Sequence, residues 1–242
     1  MNKDWLERAE LLVTEEGLHK LSSANLLVVG LGGVGSFAAE FLARAGVGKM
    51  TIVDGDTVDL TNINRQLPAL RSTVGQAKVE VVAARLLDIN PELQLIKKNQ
   101  FLDPEDMAAI LAGEKFDYVL DCIDSVSPKI NLIRSARRQK TKIVSCMGAG
   151  GKLDPAKVLV RDISKTNNCH LARQVRKRLK KDNINKGVRC VFSSEIQDEA
   201  SLKLTDGSNY KRSFYGTISY IPALFGLYAA AEVINYLLKK ND

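Results

Sequence analysis

Gly30, Gly32, Gly33 and Gly35 crowd into six residues, and Asp54 follows nineteen residues after the last of them. Glycines at that spacing let a chain turn sharply from strand to helix while its bare N–H groups approach phosphate oxygens. The helix N-terminus adds partial positive charge. A carboxylate about twenty residues on is placed to accept hydrogen bonds from ribose hydroxyls. Beyond Asp54 come Asn62, Arg65 and Gln66, then Lys78, then Asp124 and Ser125. An arginine clamps phosphate oxygens through two parallel N–H donors. A lysine at a helix start supplies a second cation, and an aspartate can share magnesium with phosphate oxygens and water. Hydride-transfer enzymes with the same turn need no such cationic cluster. The set points to ATP, bound with Mg²⁺ and consumed at its phosphates, with Arg65, Lys78 and Asp124 taking part in the chemistry.

Those residues need elements to hold them. Asn25-Leu26-Leu27-Val28-Val29 is a short apolar run that suits a buried parallel strand, and Phe37, Ala38, Phe41, Leu42 and Ala45 recur at helical spacing after the glycines. Residues 50–53 form a second strand ending at Asp54, and Val79, Val82, Ala83, Leu86 and Leu87 mark a helix that stops before Pro91. Strands over 93–98, 117–123 and 142–147 alternate with a helix over 104–111, started by Asp103, and another from Pro128 to about Gln139. The alternation predicts an α/β, Rossmann-like fold: a mainly parallel sheet with helices on both faces, and a smaller C-terminal extension ending in an apolar helix. We expect an ATP-binding domain over 1–150 and an extension over 151–242, continuous with the same fold. Gly148-Ala149-Gly150-Gly151 marks either the crossing between them or a flexible loop near the site. In open α/β sheets ligands sit beyond the carboxyl ends of the strands. The glycine turn, Asp54 and Asp124 with Ser125 all arrive at that edge.

Composition narrows the class. With 242 residues and 45% hydrophobic content, the chain can bury a large core. Cys122, Cys146, Cys169 and Cys190 form no CxxC pair, so neither a disulfide framework nor zinc is expected. His19 reads as a surface residue of an amphipathic N-terminal stretch. Met1-Asn2-Lys3-Asp4-Trp5 leads straight into charged sequence rather than a signal peptide, and a cytoplasmic location is expected. Residues 220–238 are apolar over a length that nearly crosses a bilayer. Glu232 inside that run would be costly in lipid, and Pro222 fits a first helical turn. A buried or interface helix is expected there, without membrane insertion.

The formal net charge is +7, and Arg173, Arg176, Lys177, Arg178, Lys180, Lys181, Lys186 and Arg189 fall within seventeen residues. Leu171, Val175 and Leu179 thread an apolar stripe through them. An amphipathic helix is predicted, with a cationic face that tracks nucleic-acid phosphates in a salt-dependent way. A solvated basic face is the plain alternative, and charge alone does not distinguish tRNA from another polyanion.

The Gly30–Gly35 turn, Asp54-Gly55-Asp56, Asn62-Ile63-Asn64-Arg65-Gln66, Val74-Gly75-Gln76-Ala77-Lys78 and Asp121-Cys122-Ile123-Asp124-Ser125 follow one another within residues 26–151. By these segments the sequence resembles the ubiquitin-activating-type adenylating enzymes, the superfamily that contains the molybdopterin- and thiamine-pathway sulfur-carrier adenylyltransferases. Asp124-Ser125-Val126-Ser127-Pro128-Lys129, Gly148-Ala149-Gly150-Gly151-Lys152-Leu153-Asp154-Pro155 and Gly187-Val188-Arg189-Cys190-Val191-Phe192-Ser193-Ser194-Glu195 look like its branch that dehydrates threonylcarbamoyladenosine in tRNA. That likeness covers nearly the whole chain.

The resemblance implies that Gly33 and its neighbours meet the ATP phosphates and Asp54 the ribose. Asn62 and Arg65 contact ribose and phosphates, Lys78 the phosphates, and Asp124 the magnesium or the adenylation centre. It implies a homodimer in which Arg8 crosses into the partner's site; read by itself, Arg8 is an exposed helix charge. The implied reaction is adenylation of a carboxylate beside the tRNA anticodon, followed by ring closure that expels AMP. Partners would be tRNA and, in some readings, a sulfur-transfer protein. Some members of the branch carry a cysteine near a Lys-Arg pair, whereas residues 211–217 contain none. A thioester there is not expected, and Cys190 reads as a buried structural cysteine, with a reactive thiol as the alternative. Two other readings stand: an adenylyltransferase acting on the C-terminal Gly-Gly of a sulfur carrier, and a dinucleotide-binding dehydrogenase or non-catalytic binding module.

Overall fold

The computed structural model describes residues 4–204 and 213–239. Its frame is a seven-stranded sheet of β1 (Asn25–Val29), β2 (Lys49–Val53), β3 (Gln94–Lys98), β4 (Tyr118–Asp121), β5 (Lys142–Cys146), β6 (Val158–Asp162) and β7 (Arg189–Ser193). Their spatial order is β3-β2-β1-β4-β5-β7-β6. All neighbours are parallel except β6 and β7 at one edge. The helices are α1 (Glu7–Ser22), α2 (Gly35–Arg44), α3 (Lys78–Ile89), α4 (Pro104–Gly113), α5 (Val126–Arg138), α6 (His170–Leu179) and α7 (Tyr220–Lys239). A two-stranded antiparallel ribbon joins β8 (Leu202–Leu204) to β9 (Ser213–Tyr215).

Successive side chains of a strand point to opposite faces, so a sheet covered on both sides needs unbroken apolar runs. β1 shows why. Leu26 and Val28 enter one core with Met50, Ile52, Ala38 and Phe225, while Leu27 and Val29 enter the other with Val119, Ile133, Val175 and Phe192. The layered, Rossmann-like architecture expected from the sequence is therefore present.

Two details depart from the sequence reading, the start of α5 and the cationic run. Helix α5 starts at Val126, two residues before Pro128; proline is tolerated in a first turn, where its missing N–H has no helical partner to lose. Beyond Gly148–Gly151, β7 pairs with β5 and β6 extends that edge of the same sheet. The cationic run is also divided. Arg189 lies on β7 and donates through Nε and Nη2 to the Glu232 carboxylate at 2.6 and 2.9 Å. That bond gives the acid of the apolar C-terminal segment a partner within the fold.

Helix α7 packs chiefly on α2. Gly226 makes the close approach possible, since a Cβ there would overlap the Val34 carbonyl. Ile221, Phe225, Ala229, Val233 and Leu237 are buried along that face. By length and composition α7 is the described helix able to cross a membrane, yet 44% of its most apolar window is buried inside the fold. That face serves the core.

Candidate active site

The turn between β1 and α2 is built for close backbone approach. Gly30 adopts φ +90°, and a Cβ on it would stand 2.9 Å from Cys122 O. At Gly35 a Cβ would overlap the Gly30 carbonyl, and at Gly33 it would meet Arg65 O at 2.9 Å and Pro222 Cβ at 3.0 Å. Gly32 differs: its Cβ would meet only the Gln66 side chain, at 3.7–3.9 Å. Gln66 Oε1 is buried there without a hydrogen-bond partner among the described residues. Buried polar atoms are normally satisfied, so an acceptor left unpaired over the glycine turn suits a ligand donor.

From the turn a connected chain of polar contacts runs to Lys78. Asp54, at the end of β2, accepts from Leu31 N at 2.6 Å and Asp56 N at 2.8 Å. Burial raises the Asp54 carboxyl above its ordinary 3.8, against those two hydrogen bonds and the nearby Lys78 charge. The Asp56 carbonyl accepts from Lys78 N at 3.0 Å, and its carboxylate holds Lys78 Nζ at 2.9 Å. Lys78 opens α3 and is buried.

The loop after β2 supplies the next wall. Asp59 caps a 3-10 turn over Leu60–Asn62, and buried Asn62 returns its Oδ1 to Asp59 N at 3.2 Å. Asn62 thus shapes the loop. Arg65 Nη1 donates to Thr61 O at 2.9 Å and Asn64 Oδ1 at 2.8 Å, while Asn64 Nδ2 donates to Thr217 O at 2.9 Å. The Arg65 backbone carbonyl lies against Gly33, so the residue adjoins the turn while its guanidinium is held within its own loop.

On the other side, Cys122 N donates to Val29 O at 2.9 Å and brings the exit of β4 against Gly30. Asp124 follows in exposed position, accepting from Ser125 Oγ at 3.3 Å. Ser125 precedes the first residue of α5, so the positive end of that helix faces the same edge.

Beneath this loop lies a network whose roles the sequence reading missed. Lys129 Nζ donates to Asp121 Oδ2 at 2.7 Å, Cys146 O at 2.9 Å and Ser145 Oγ at 3.3 Å. Ser145 Oγ also donates to Asp121, and Ile123 N reaches Asp121 Oδ1 at 3.1 Å. Burial pushes the Asp121 carboxyl upward, and the Lys129 ammonium and these donors oppose it. The network locks the backbone that carries Asp124. A signal was available: Lys129 stands on the same helical face as Leu132, Ile133 and Ala136, all buried.

The single chain does not bring Arg8 to this edge. Leu6, two residues earlier, is buried beneath Gly46, beyond the far end of α2 from the glycine turn. The ten residues of α2 span about 15 Å. Arg8 itself is exposed.

Helix α6 carries Arg173, Lys177 and Arg178 in exposed positions, continued by Lys180 and Lys181 in a 3-10 turn. Arg176 departs from the expected face: it is half-buried and donates to Thr166 O at 2.9 Å and to the Thr166 hydroxyl. Arg178 Nη1 reaches Ser127 Oγ at 2.9 Å, tying the basic helix to the start of α5. The four cysteines are free thiols, and burial raises Cys190 well above its ordinary value, as suits a packing residue. Lys211 and Arg212, of the segment without cysteine, lie outside the described residues.

The model of the ThiF family matches residues 6–242. The chain belongs to that family. It is 40% identical to tRNA threonylcarbamoyladenosine dehydratase of Bacillus subtilis, over 96% of this chain and 94% of that protein. The crystal structure of the Escherichia coli tRNA N6-threonylcarbamoyladenosine dehydratase in complex with ATP superposes with a TM-score of 0.87 at 38% identity, covering 97% of this chain and 94% of that one. The Escherichia coli molybdopterin-synthase adenylyltransferase is 41% identical, but over 54% of this chain. The likeness to the adenylyltransferase thus covers about half of this ThiF-family chain, and the likeness to the dehydratase nearly all of it.

Proposed function

We propose that this protein uses ATP to dehydrate threonylcarbamoyladenosine in tRNA, closing it to a ring. The observation that carries the reading is the full-length likeness to the dehydratases. The gathering of Arg65, Lys78 and Asp124 around the glycine turn agrees with it. The threonyl carboxylate attacks the α-phosphorus of ATP and releases pyrophosphate, an encounter of two anions. Turn N–H groups receive the phosphates, and Arg65 and Lys78 offset the charge growing on the leaving group. An oxygen of the same modification then attacks the activated carbonyl and expels AMP, so the balance is loss of one water. Tethering nucleophile to target supplies proximity.

Asp124 would hold magnesium. Among the described residues no group of three or more His, Cys, Asp or Glu is arranged to cage a metal. Mg²⁺ asks for less, since one carboxylate, phosphate oxygens and water satisfy it, and an exposed aspartate at the phosphate edge fits that donor set. Bound there, the ion would neutralise phosphate charge. Arg8 enters from a second copy, which also suits the apolar side chains Leu11 and Leu12, 83% and 84% exposed on α1. A tRNA substrate puts the reaction in the cytoplasm.

The test is direct. Protein, ATP, magnesium and tRNA carrying threonylcarbamoyladenosine are incubated, and the digested nucleosides are weighed by mass spectrometry. A product lighter by one water, formed with AMP, is expected. An unchanged nucleoside, with AMP released only when a carrier protein ending in Gly-Gly is added, would transfer the reading to the sulfur-carrier adenylyltransferases. That alternative draws on a likeness that covers 54% of this chain.

A further inference from the structure

The α5–α6 side of the molecule carries a depression of about 470 Å³ lined by Arg134, Arg137, Arg138, Asp182 and Ile184. Three guanidiniums therefore meet one carboxylate. Arg134 spends its charge on Asp182, with Nε and Nη2 at 2.8 and 2.7 Å from Oδ2. Among the described residues Arg137 Nη1 reaches only a carbonyl, Gly187 O, at 3.4 Å, and both Arg137 and Arg138 are exposed. A cation at the carboxyl end of a helix complements its dipole. Three arginines in the last five residues of α5 exceed that need and repel one another.

We infer that this depression seats backbone phosphates of the RNA substrate, at a distance from the reacting nucleotide. The inference rests on the tRNA reading above. Its geometry comes from α5 itself. Ser125 and Asp124 at the start of that helix stand at the nucleotide edge, and Arg138 ends it thirteen residues later, about 20 Å away. That span covers several steps along one strand of an A-form RNA duplex. The exposed cations of α6 run alongside, joined to α5 through Arg178 and Ser127. An RNA whose modified loop nucleotide reaches Asp124 therefore lays its paired stem toward the arginines. Contacts of this kind fix register and affinity and carry no base preference.

The test compares wild type with R137E/R138E, two exposed positions away from the nucleotide edge. Turnover is measured with full-length modified tRNA and with a loop fragment cut about three base pairs from the modified adenosine, too short for the span above. For the variant, KM for full-length tRNA rises about tenfold. KM for ATP, turnover at saturation and kinetics on the fragment stay as in wild type. Equal KM values on full-length tRNA would overturn the inference, as would an equal loss on the fragment. A raised KM for ATP would place a free nucleotide in the depression instead. Should wild type convert neither RNA, the dehydratase reading falls, and binding of unmodified tRNA across a salt series still decides. Loss of two phosphate contacts lowers the slope of log K against log salt by about two, and an unchanged slope rejects the site.

Discussion

Lys78 and Lys129 are built alike and used differently. Each lies in the first turn of a helix, and each meets an aspartate near the end of a strand. Lys78 Nζ stands 2.9 Å from Asp56 Oδ2, with the lysine 6% and the aspartate 55% exposed. Lys129 Nζ stands 2.7 Å from Asp121 Oδ2, and both side chains are 0% exposed. The open partner leaves Lys78 a route to another anion, because water already solvates half of the pair and a phosphate can replace it. The sealed partner removes that route. Lys129 also serves the Cys146 carbonyl and the Ser145 hydroxyl, so no part of its donor set faces a ligand. Exposure of the acid, more than the length of the ion pair, separates a group that can join the reaction from one that holds the loop in place.

The largest effect should come from breaking the sealed pair. Lys129→Met leaves an uncompensated buried carboxylate, and removal of one member of such a pair costs about 3–5 kcal/mol. Denaturant unfolding measures it; a loss below about 1 kcal/mol would put Lys129 on the same footing as a surface pair. Next comes Lys78→Met, whose remaining Asp56 can be solvated. Unfolding free energy should change by no more than about 1 kcal/mol, while AMP formation falls by about 10²-fold or more, as when a donor to developing charge is removed. Stability loss without a turnover defect would reverse the two roles.

The strands and the nucleotide edge were legible because each carries its own local signature. Val28 and Val29 before Gly30, and Ile52 and Val53 before Asp54, show apolar β-branched residues giving way to turn and polar chemistry. What sequence pattern could not supply were partnerships between segments. Asp56 reads as another loop acid until the Lys78 segment folds back upon it through the Val58–Gln76 hydrogen bond. Arg189 reads as part of a cationic run until β7 sets it opposite Glu232, 43 residues away. Arg176 falls one position from Val175 and three from Leu179, both buried, at the margin of the apolar stripe. Its neighbour across that margin, Thr166, lies before the helix begins. Lys129 was readable in principle, since it shares a face with three apolar residues, but a lysine in that position signals burial only once Asp121 is known to sit under it.

A third test extends the comparison to Asp54, an acid whose partners are backbone N–H groups. Burial raises its folded-state pKa above the ordinary 3.8. The folded state then holds the proton more tightly than the unfolded chain, so stability is lost as pH rises through that interval. Unfolding of wild type and Asp54→Asn is followed from about pH 3 to pH 7, a range bracketing the ordinary carboxylate value. The difference between them should move in favour of the asparagine variant as pH increases. A drift in the opposite direction would mean that the Leu31 and Asp56 hydrogen bonds outweigh burial. Affinity for ATP should fall at every pH.

The smallest effect concerns the other kind of contact, an exposed charge bonded to a neutral group. Arg178 reaches Ser127 Oγ at 2.9 Å across the α5–α6 junction. Its exposure leaves water as a ready substitute, so Arg178→Gln should lower stability by no more than about 0.5 kcal/mol. If the same guanidinium also faces RNA, the variant should bind tRNA more weakly and reduce the salt slope by about one. ATP binding measured without RNA should be unaltered, because neither Arg65 nor Lys78 depends on this junction. Weaker ATP binding in Arg178→Gln would show that α6 positions the start of α5, and with it Asp124. The division between an anchored nucleotide edge and an adaptable RNA-facing surface would then fail at this bond.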